Sequence, residues 1–115
     1  MAKLTILQQN LHKSLLPTQE LLAYAGFSLN QNPTLEDCKI LCVQEPNIRR
    51  NKVCGFPSLS IYSQHIDSPI RSAIISRNST NILKLTQYCT SDLVVVRTKF
   101  GDKNLCLCRA YIMNA

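Results

Sequence analysis

Blocks of apolar residues separated by polar ones predict several short strands and one helix. Residues 3–9 are rich in leucine and isoleucine and Asn10 ends this run, which predicts a largely buried strand. Residues 14–28 predict a helix, because Pro17 is tolerated in a first turn and strong helix formers follow it. The apolar residues expected to pack on a sheet are Leu15, Leu22, Ala25 and Leu29.

The rest of the chain predicts strands joined by polar loops. A second buried strand spans residues 39–44 and must end or become an edge at Pro46, because proline cannot donate to a β-ladder. The polar and basic residues 47–57 predict an exposed loop, and Gly101-Asp102 suits a hairpin turn. Further strands are predicted at residues 59–62, 72–76, 82–88, 93–98 and 105–111.

One helix and about seven strands indicate an α+β fold rather than a regular βαβ alternation. We expect a single sheet with one helix to leave its other apolar face open, and such a face needs a partner layer. An apolar strand also lies very near the end of the sequence, around Leu107. These features predict that residues 1–115 are an unfinished part of one domain.

The charge of the chain narrows the function. Lys and Arg number 13 against 7 Asp and Glu, a net charge of +6 that is spread along the chain. Such a field favours polyanions, above all nucleic acid, although a basic surface that only confers solubility is the alternative. The apolar run before Gln8 is too short for a secretory signal or a membrane span, so we expect a soluble intracellular protein.

The six cysteines predict core packing rather than covalent or metal chemistry. A reducing compartment disfavours disulfides, and the sequence has no Cys-x-x-Cys pair for zinc. Most of the cysteines stand beside Leu, Ile or Val, where a reduced thiol acts as a small apolar side chain. We expect nearly all of them to fill the core.

Asn10 and Glu45 are the first candidates for chemistry. Each follows a predicted strand, and if the two strands are neighbours in the sheet, both side chains converge at one edge. An amide oxygen beside a carboxylate is a pair of hard oxygen ligands that suits Mg²⁺. The alternatives are an ordinary turn residue for Asn10 and a solvated strand end for Glu45.

Several motifs, taken in order, resemble the opening of the endonuclease/exonuclease/phosphatase superfamily, and most closely the endonuclease domains of LINE-type (non-LTR) retrotransposons. They are Gln-x-Asn-Leu at residues 8–11, Gln-Glu-Pro at 44–46, Arg-x-Ala-Ile at 71–74, the apolar strand 92–96 and Arg-Ala-Tyr-Ile at 109–112. His12-Lys13-Ser14 resembles the family's short basic or histidine-containing segment. The prolines that commonly follow the tyrosine are absent here. The resemblance spans the whole chain but only the amino-terminal half of the family's domain.

The resemblance implies a four-layer α/β/β/α sandwich, of which this chain is the amino-terminal half, and a Mg²⁺ cofactor with Mn²⁺ as the alternative. Glu45 would be the principal metal ligand, with Asn10 beside it. Tyr111 would place its hydroxyl on a phosphate oxygen, whereas an aromatic at the edge of the core is the other interpretation. The residues expected to contact the DNA backbone are Arg71, His12 and Lys13, although Arg71 could equally be an exposed charge at a strand start.

The water-activating residues of the superfamily (a histidine, aspartates and an Asp-x-Asn motif) lie in the carboxy-terminal half of its domain. Neither His12 nor His65 is therefore assigned as a catalytic base, and a metal site without a base does not suffice for hydrolysis. We expect a metal-dependent DNA-nicking endonuclease of a retrotransposon in the complete domain, acting in the nucleus. This chain alone is expected to be inactive.

Other functions stay open from the sequence. The same fold serves abasic-site repair nucleases and phosphatases. A non-catalytic nucleic-acid-binding module, or a decayed retroelement remnant, belongs to a different class. The expected partners are DNA and the missing carboxy-terminal half or reverse-transcriptase region of a longer polyprotein, with no membrane.

Overall fold

A computed structural model describes residues 3–25, 37–65, 68–77 and 82–110 of the chain. The first half contains β1 (Lys3–Asn10), α1 (Leu15–Ala25), β2 (Asp37–Gln44) and two short strands, β3 (Ile48–Arg49) and β4 (Lys52–Val53). The second half contains β5 (Leu59–Tyr62), β6 (Ser72–Arg77), β7 (Ile82–Lys84), a 3-10 turn (Thr86–Tyr88), β8 (Leu93–Phe100) and β9 (Lys103–Ala110). One helix and mixed sheets in these ranges confirm the predicted α+β class.

Two predicted segments differ from the structure. The loop predicted at residues 47–57 contains the antiparallel β3–β4 hairpin and is not wholly exposed, because Val53 and Phe56 are buried in the core. The strand predicted at residues 82–88 ends at Lys84. The chain then turns, because the Tyr88 N–H donates to the carbonyl of Leu85.

The first sheet has the strand order β1-β2-β6-β5. β1 and β2 are parallel neighbours, so the chain between them, which includes α1, crosses from one end of the sheet to the other. β6 is antiparallel to both β2 and β5. Successive strand residues face opposite sides of a sheet, and β2 and β6 are buried on both sides.

One side of the first sheet packs against α1 and the loops around it. This core contains Leu41 and Val43 of β2, Ile75 of β6, and Leu21 of α1. The prediction for the helix face was wrong at Leu15, which is 47% exposed, because the helix places Thr18 and Leu21 inward instead. The predicted face residue Leu29 lies outside the described residues.

The other side of the first sheet is covered by a second sheet with the order β7-β8-β9. Ile40, Cys42 and Ile74 of the first sheet pack with Val94 and Val96 of β8. The prediction of a single sheet with one open face is therefore wrong, because the second sheet covers that face. Burial of each such aliphatic side chain stabilises the fold by about 1.5–3 kcal/mol, so the contact between the sheets is a main source of stability.

The β8–β9 hairpin closes at Gly101 and Asp102, as predicted, and Phe100 pairs with Lys103. The cysteine prediction holds for Cys42 and Cys89, which are buried, but not for Cys106 and Cys108, which are exposed on β9. In the described part of the chain, no helix combines the length and apolar character that crossing a membrane requires.

Candidate active site

The parallel register of β1 and β2 brings the two predicted metal ligands to one edge of the first sheet. Asn10, the last residue of β1, is paired with Gln44, the last residue of β2, and Glu45 follows directly. Gln44 is also paired with Ser72, so Arg71 reaches the same edge from β6. The two strands are neighbours in the sheet, which is the condition under which the sequence predicted that Asn10 and Glu45 converge.

Backbone hydrogen bonds hold this edge together. The Leu11 N–H donates to the carbonyl of Gln44 at 2.8 Å. The carbonyl of Glu45 accepts from the Lys13 N–H at 2.7 Å, and the Glu45 N–H donates to the carbonyl of Arg71 at 3.0 Å. Glu45 is thus attached on one side to the loop after β1 and on the other to the start of β6.

Three non-glycine residues at this edge have left-handed backbone conformations: His12 (φ 52°), Lys13 (φ 56°) and Glu45 (φ 50°). Each such conformation costs on the order of 1–3 kcal/mol and persists only where the surrounding structure enforces it. The hydrogen bonds of Lys13 and Glu45 provide that enforcement. Left-handed residues of this kind cluster at functional sites.

The side chain of Asn10 forms a turn. Its Oδ1 accepts a hydrogen bond of 2.9 Å from the His12 N–H, two residues further on. Asparagine commonly stabilises turns in this way, so the ordinary turn interpretation of Asn10 is realised in the structure. An amide oxygen has two lone pairs, and this bond leaves one of them for a ligand.

The side chains of Glu45 and His12 lie close together at this edge of the first sheet. His12 Nδ1 is 3.9 Å from Glu45 Oε2, and the side chains are 71% and 23% exposed respectively. A pair with so exposed a partner contributes little to stability. His12 is thus an exposed neighbour of the Glu45 carboxylate.

Arg71 forms an ion pair that the sequence did not predict. Its Nε and Nη2 donate to the two carboxylate oxygens of Asp92, at 2.5 and 2.8 Å. The Arg71 N–H donates to the carbonyl of Ser91, and the Ser72 hydroxyl donates to the carbonyl of Asp92. The start of β6 in the first sheet is thereby tied to the start of β8 in the second. The only sequence signal was a pair of opposite charges, each directly before an apolar strand.

A cavity of about 320 Å³ lies beside Glu45, between two of the predicted nucleic-acid contacts. Lys13 and Arg71 both line it, together with the apolar and polar residues Pro46, Asn47, Ile48, Pro69 and Ile70. Cavities of this size with a few convergent polar groups are the usual sites for small ligands. Two cationic side chains at its wall suit an anionic group such as a phosphate.

The donor set suits a hard cation that shares its ligands with a substrate. Among the residues that the structure describes, no group of three or more His, Cys, Asp or Glu side chains is placed to hold a metal ion. Mg²⁺ keeps several waters and is commonly bound by one or two carboxylates together with substrate phosphates. Glu45 and Asn10 fit that mode of binding, whereas a soft, fully protein-ligated metal does not fit these oxygen ligands.

Two other residues were considered from the sequence, Tyr111 as a phosphate contact and His65 without a role in the site. Tyr111 lies outside the described residues. His65 is exposed, and its Nδ1 is 2.9 Å from the carbonyl of Ser68. The structure thus brings together Asn10, His12, Lys13, Glu45 and Arg71.

A half-buried arginine lies below this edge and was not assigned a role from the sequence. Arg109 of β9 donates from Nη2 to Oε1 of Gln44, and from Nη1 to Oε1 of Gln8 at 3.2 Å. The signal available in the sequence was the presence of glutamines within otherwise apolar strands.

The fold and this edge define an α+β protein in which Asn10 and Glu45 lie at the ends of two parallel strands, next to a small cavity lined by Lys13 and Arg71. No protein-family model and no curated protein sequence matches the chain. Among solved structures, the chain is similar to the "Endonuclease domain of TRAS1, a telomere-specific non-LTR retrotransposon", with a TM-score of 0.68 and 22% sequence identity.

The match covers 94% of this chain and 44% of that structure, so the chain spans less than half of its length. At this identity the likeness shows the fold. The expected resemblance to the endonuclease domain of a non-LTR retrotransposon is confirmed at that level. The shares covered fit the expectation that the chain corresponds to the amino-terminal half of such a domain.

Proposed function

We propose that this chain forms the metal- and phosphate-binding part of a Mg²⁺-dependent phosphodiesterase domain that nicks DNA for a retroelement. The observation that carries this proposal is the convergence of Asn10 and Glu45 at one edge through the parallel register of β1 and β2. The fold similarity to a retrotransposon endonuclease domain supports it. In this proposal residues 1–115 are the amino-terminal part of a four-layer α/β/β/α sandwich that acts on DNA in the nucleus.

Glu45 and Asn10 are the residues that would hold the ion, with Mn²⁺ as the alternative to Mg²⁺. When bound, such an ion polarises a phosphoryl oxygen and stabilises the negative charge of the leaving group. The backbone of Glu45 is hydrogen-bonded to the backbones of Lys13 and Arg71, so the carboxylate extends from a fixed position. Asn10 accepts a hydrogen bond from the His12 N–H, which holds the turn after β1 beside this edge.

Lys13 and Arg71 are proposed to bind the DNA backbone from the cavity beside Glu45. Lys13 is exposed and offers a mobile point charge. Arg71 is oriented by Asp92, so its charge is presented from a defined direction. His12 is proposed to contact a phosphate at the same edge, and Tyr111 is proposed to bind a phosphate oxygen through its hydroxyl.

Hydrolysis also needs a group that activates water, and a positioned base contributes about 10²–10⁴-fold to such a reaction. From the family resemblance we expect that group in the carboxy-terminal half of the domain. We therefore propose that this chain is inactive alone and that a version extended through that half is active.

Nicking of supercoiled plasmid in Mg²⁺ tests the function. The 115-residue chain should leave the plasmid intact, and the extended version should convert it to the open circular form. Glu45→Ala in the extended version should reduce the nicking rate at least about 100-fold, since a metal ligand is lost. Glu20→Ala removes an exposed carboxylate on α1 and is the matched control, with expected wild-type activity. Equal nicking by Glu45→Ala and Glu20→Ala would contradict the metal assignment.

The metal site can be tested in the 115-residue chain without any activity. In an ¹⁵N NMR titration, Mn²⁺ should broaden the amide signals of Asn10 and Glu45 first, because paramagnetic broadening falls steeply with distance. Glu45→Gln should remove this selective broadening, and Glu20→Gln should retain it. Uniform broadening along the chain would argue against a site at this edge.

A non-catalytic nucleic-acid-binding module is the second candidate. It is favoured by the exposed cations Arg49, Arg50 and Lys52 on the β3–β4 hairpin, which follows Glu45 a few residues further along the chain. Both candidates predict DNA binding that weakens steeply with salt, because phosphate contacts release counterions. Only the phosphodiesterase predicts Mg²⁺-dependent changes at Asn10 and Glu45.

The substrate preference of the extended version distinguishes between the functions that proteins of this fold can have. Preference for a duplex with an abasic site would indicate a repair nuclease, and release of phosphate from an inositol phosphate would indicate a phosphatase. We expect nicking of intact duplex to be the main activity, because a cationic wall next to the catalytic edge suits a continuous DNA backbone.

A further inference from the structure

Arg109 connects three strands directly below the proposed site. It lies on β9 in the second sheet and is paired with Val94 of β8. Its guanidinium crosses to the first sheet, where Nη2 donates to the side-chain oxygen of Gln44 and Nη1 donates to that of Gln8 at 3.2 Å. One arginine therefore joins the strand that ends at Asn10 to the strand that is followed by Glu45.

The position of these glutamines is set by the alternation of side chains along the strands. Gln44 has the same parity as Ile40 and Cys42, which face the second sheet, and Gln8 is paired with Cys42. Asn10 is paired with Gln44, so its side chain leaves β1 on that face too. Arg109 thus contacts one glutamine at the edge itself, Gln44, and one glutamine two residues before the end of β1, Gln8.

The positive charge of Arg109 is only partly satisfied. Both of its partners are neutral amides, and no carboxylate among the described residues forms a salt bridge with it. Its Nε is buried and has no hydrogen-bond partner in the described structure. A buried donor or charge without a partner is costly, so such groups in proteins usually mark a place where an acceptor or an anion contributes.

The field of this charge extends between the sheets. Burial raises the pKa of the Cys42 thiol, and the positive charge of Arg109 opposes that rise by favouring the thiolate. Cys42 lies three residues before Glu45 on the same strand. An anion at the edge above is exposed to the same favourable field, because the interior screens charge less than water does.

We propose that Arg109 is a positioning residue for the phosphate of a nucleic acid. It holds Gln8 and Gln44 as one unit beneath Asn10 and Glu45, and it supplies an uncompensated positive charge behind the edge where the phosphate binds. The inference rests on the proposed function, since it takes that edge as the phosphate site. It adds a residue of the second sheet that affects phosphate binding from between the sheets, whereas Lys13 and Arg71 line the cavity itself.

Binding of a short duplex oligonucleotide to the 115-residue chain, followed by fluorescence anisotropy at fixed ionic strength with Mg²⁺, tests this role. Arg109→Met should weaken binding about tenfold, because it removes both the charge and the donors. Arg109→Lys keeps the charge and should recover most of the affinity. Arg97→Met is the matched control: it removes the same charge from an exposed position on β8 in the same sheet, and it should weaken binding less than about threefold.

A Mn²⁺ titration of the same variants distinguishes positioning of a phosphate from a general loss of structure. Removal of a positive charge should leave the Mn²⁺ affinity at Glu45 unchanged or higher, because the charge repels a cation. A collapsed site would lose affinity for both Mn²⁺ and DNA. Urea unfolding and the side-chain amide signals of Gln8 and Gln44 show whether Arg109→Met is folded, and Arg109→Lys carries the test if it is not.

The outcomes separate the two proposals. Equal losses of DNA affinity in Arg109→Met and Arg97→Met would overturn the role of Arg109, even with selective Mn²⁺ broadening at Asn10 and Glu45. Absence of that broadening in the native chain would overturn the metal site. If that broadening is absent, a tenfold loss of DNA affinity that is specific to Arg109→Met would still support phosphate binding at this edge. Native chain that binds Mn²⁺ but no DNA would overturn the inference and leave the metal site standing.

Discussion

Arg71 and Asp92 form two parallel hydrogen bonds, of 2.5 Å from Nε and 2.8 Å from Nη2, across the boundary between the two sheets. Arg71 directly precedes β6 in the first sheet and Asp92 directly precedes β8 in the second. The carbonyl of Arg71 also accepts from the Glu45 N–H. The ion pair therefore stabilises the contact between the sheets and the backbone of the proposed metal ligand together.

A double-mutant cycle should measure this pair. Arg71→Ala, Asp92→Ala and the double variant should show a coupling of about 1 kcal/mol in the free energy of unfolding, since a two-point pair exceeds an ordinary surface pair but a third or more of each side chain is exposed. Urea unfolding at low and high salt is the measurement. Additive effects of the single substitutions would show that the pair contributes nothing.

Substitution of Asn10 should separate its turn from its part in the site. Asn10→Ala removes the acceptor for the His12 N–H and should lower the free energy of unfolding by about 1 kcal/mol. Asn10→Asp retains an acceptor and should keep most of that stability. Mn²⁺ affinity should fall in Asn10→Ala and rise in Asn10→Asp, which brings a second carboxylate to the edge. Unchanged Mn²⁺ affinity in both variants would show that Asn10 stabilises the turn but does not bind the metal ion.

Two glycines with left-handed backbones should respond differently to alanine. At Gly55 (φ 97°) an added Cβ would lie 2.9 Å from Cγ2 of Thr18 on α1, whereas at Gly101 (φ 62°) it would meet open space. Gly101→Ala should cost about 1 kcal/mol for the left-handed conformation alone. Gly55→Ala should cost about 2–4 kcal/mol, because overpacking against the helix adds to the strain. Thermal or urea unfolding of the two variants tests this order, and equal losses would contradict the contact between this loop and α1.

The buried thiol of Cys42 should make stability depend on pH in the alkaline range. Burial raises its pKa above the ordinary value of 9.0, so the folded chain keeps a proton that the unfolded chain loses. The free energy of unfolding should therefore fall as pH rises from about 9. Cys42→Ala should flatten this part of the profile, and Arg109→Met should steepen it, because a charge that favours the thiolate is gone. Urea unfolding between pH 7.5 and 10.5 compares the three chains.

Local patterns in the sequence predicted most of the elements. The strand at residues 59–62 and the Gly101-Asp102 turn agree with the structure, because short-range periodicity and turn chemistry decide both. The helix was predicted correctly in type but not in its buried face, since Thr18 and Leu21 rather than Leu15 meet the sheet. Apolar spacing alone does not say which side of a short helix the chain turns inward.

The candidate site was partly predictable. Asn10 and Glu45 were expected to converge if the two predicted buried strands were neighbours, and the parallel pairing of β1 and β2 meets that condition. The first strand was predicted to be largely buried, but β1 is only partly buried, with Ile6 39% exposed. Arg71 was a candidate from the sequence, but its ion pair with Asp92, 21 residues further on, was not predicted. Arg109 was missed in the same way, because its contact with Gln8 joins residues 101 positions apart and no local pattern encodes such a pairing.

The sequence by itself determined the α+β class, the ends of the buried strands and the residue types available at those ends, because these depend on side-chain periodicity and backbone chemistry. Only the tertiary structure decided that the chain covers its own first sheet with a second one, and that Asp92 and Arg109 of the second sheet reach the edge built by the first. The physical reason is that the packing of Ile40 and Ile74 against Val94 and Val96 brings distant segments into contact. The pairing of charges across that contact follows from the packing of the whole chain.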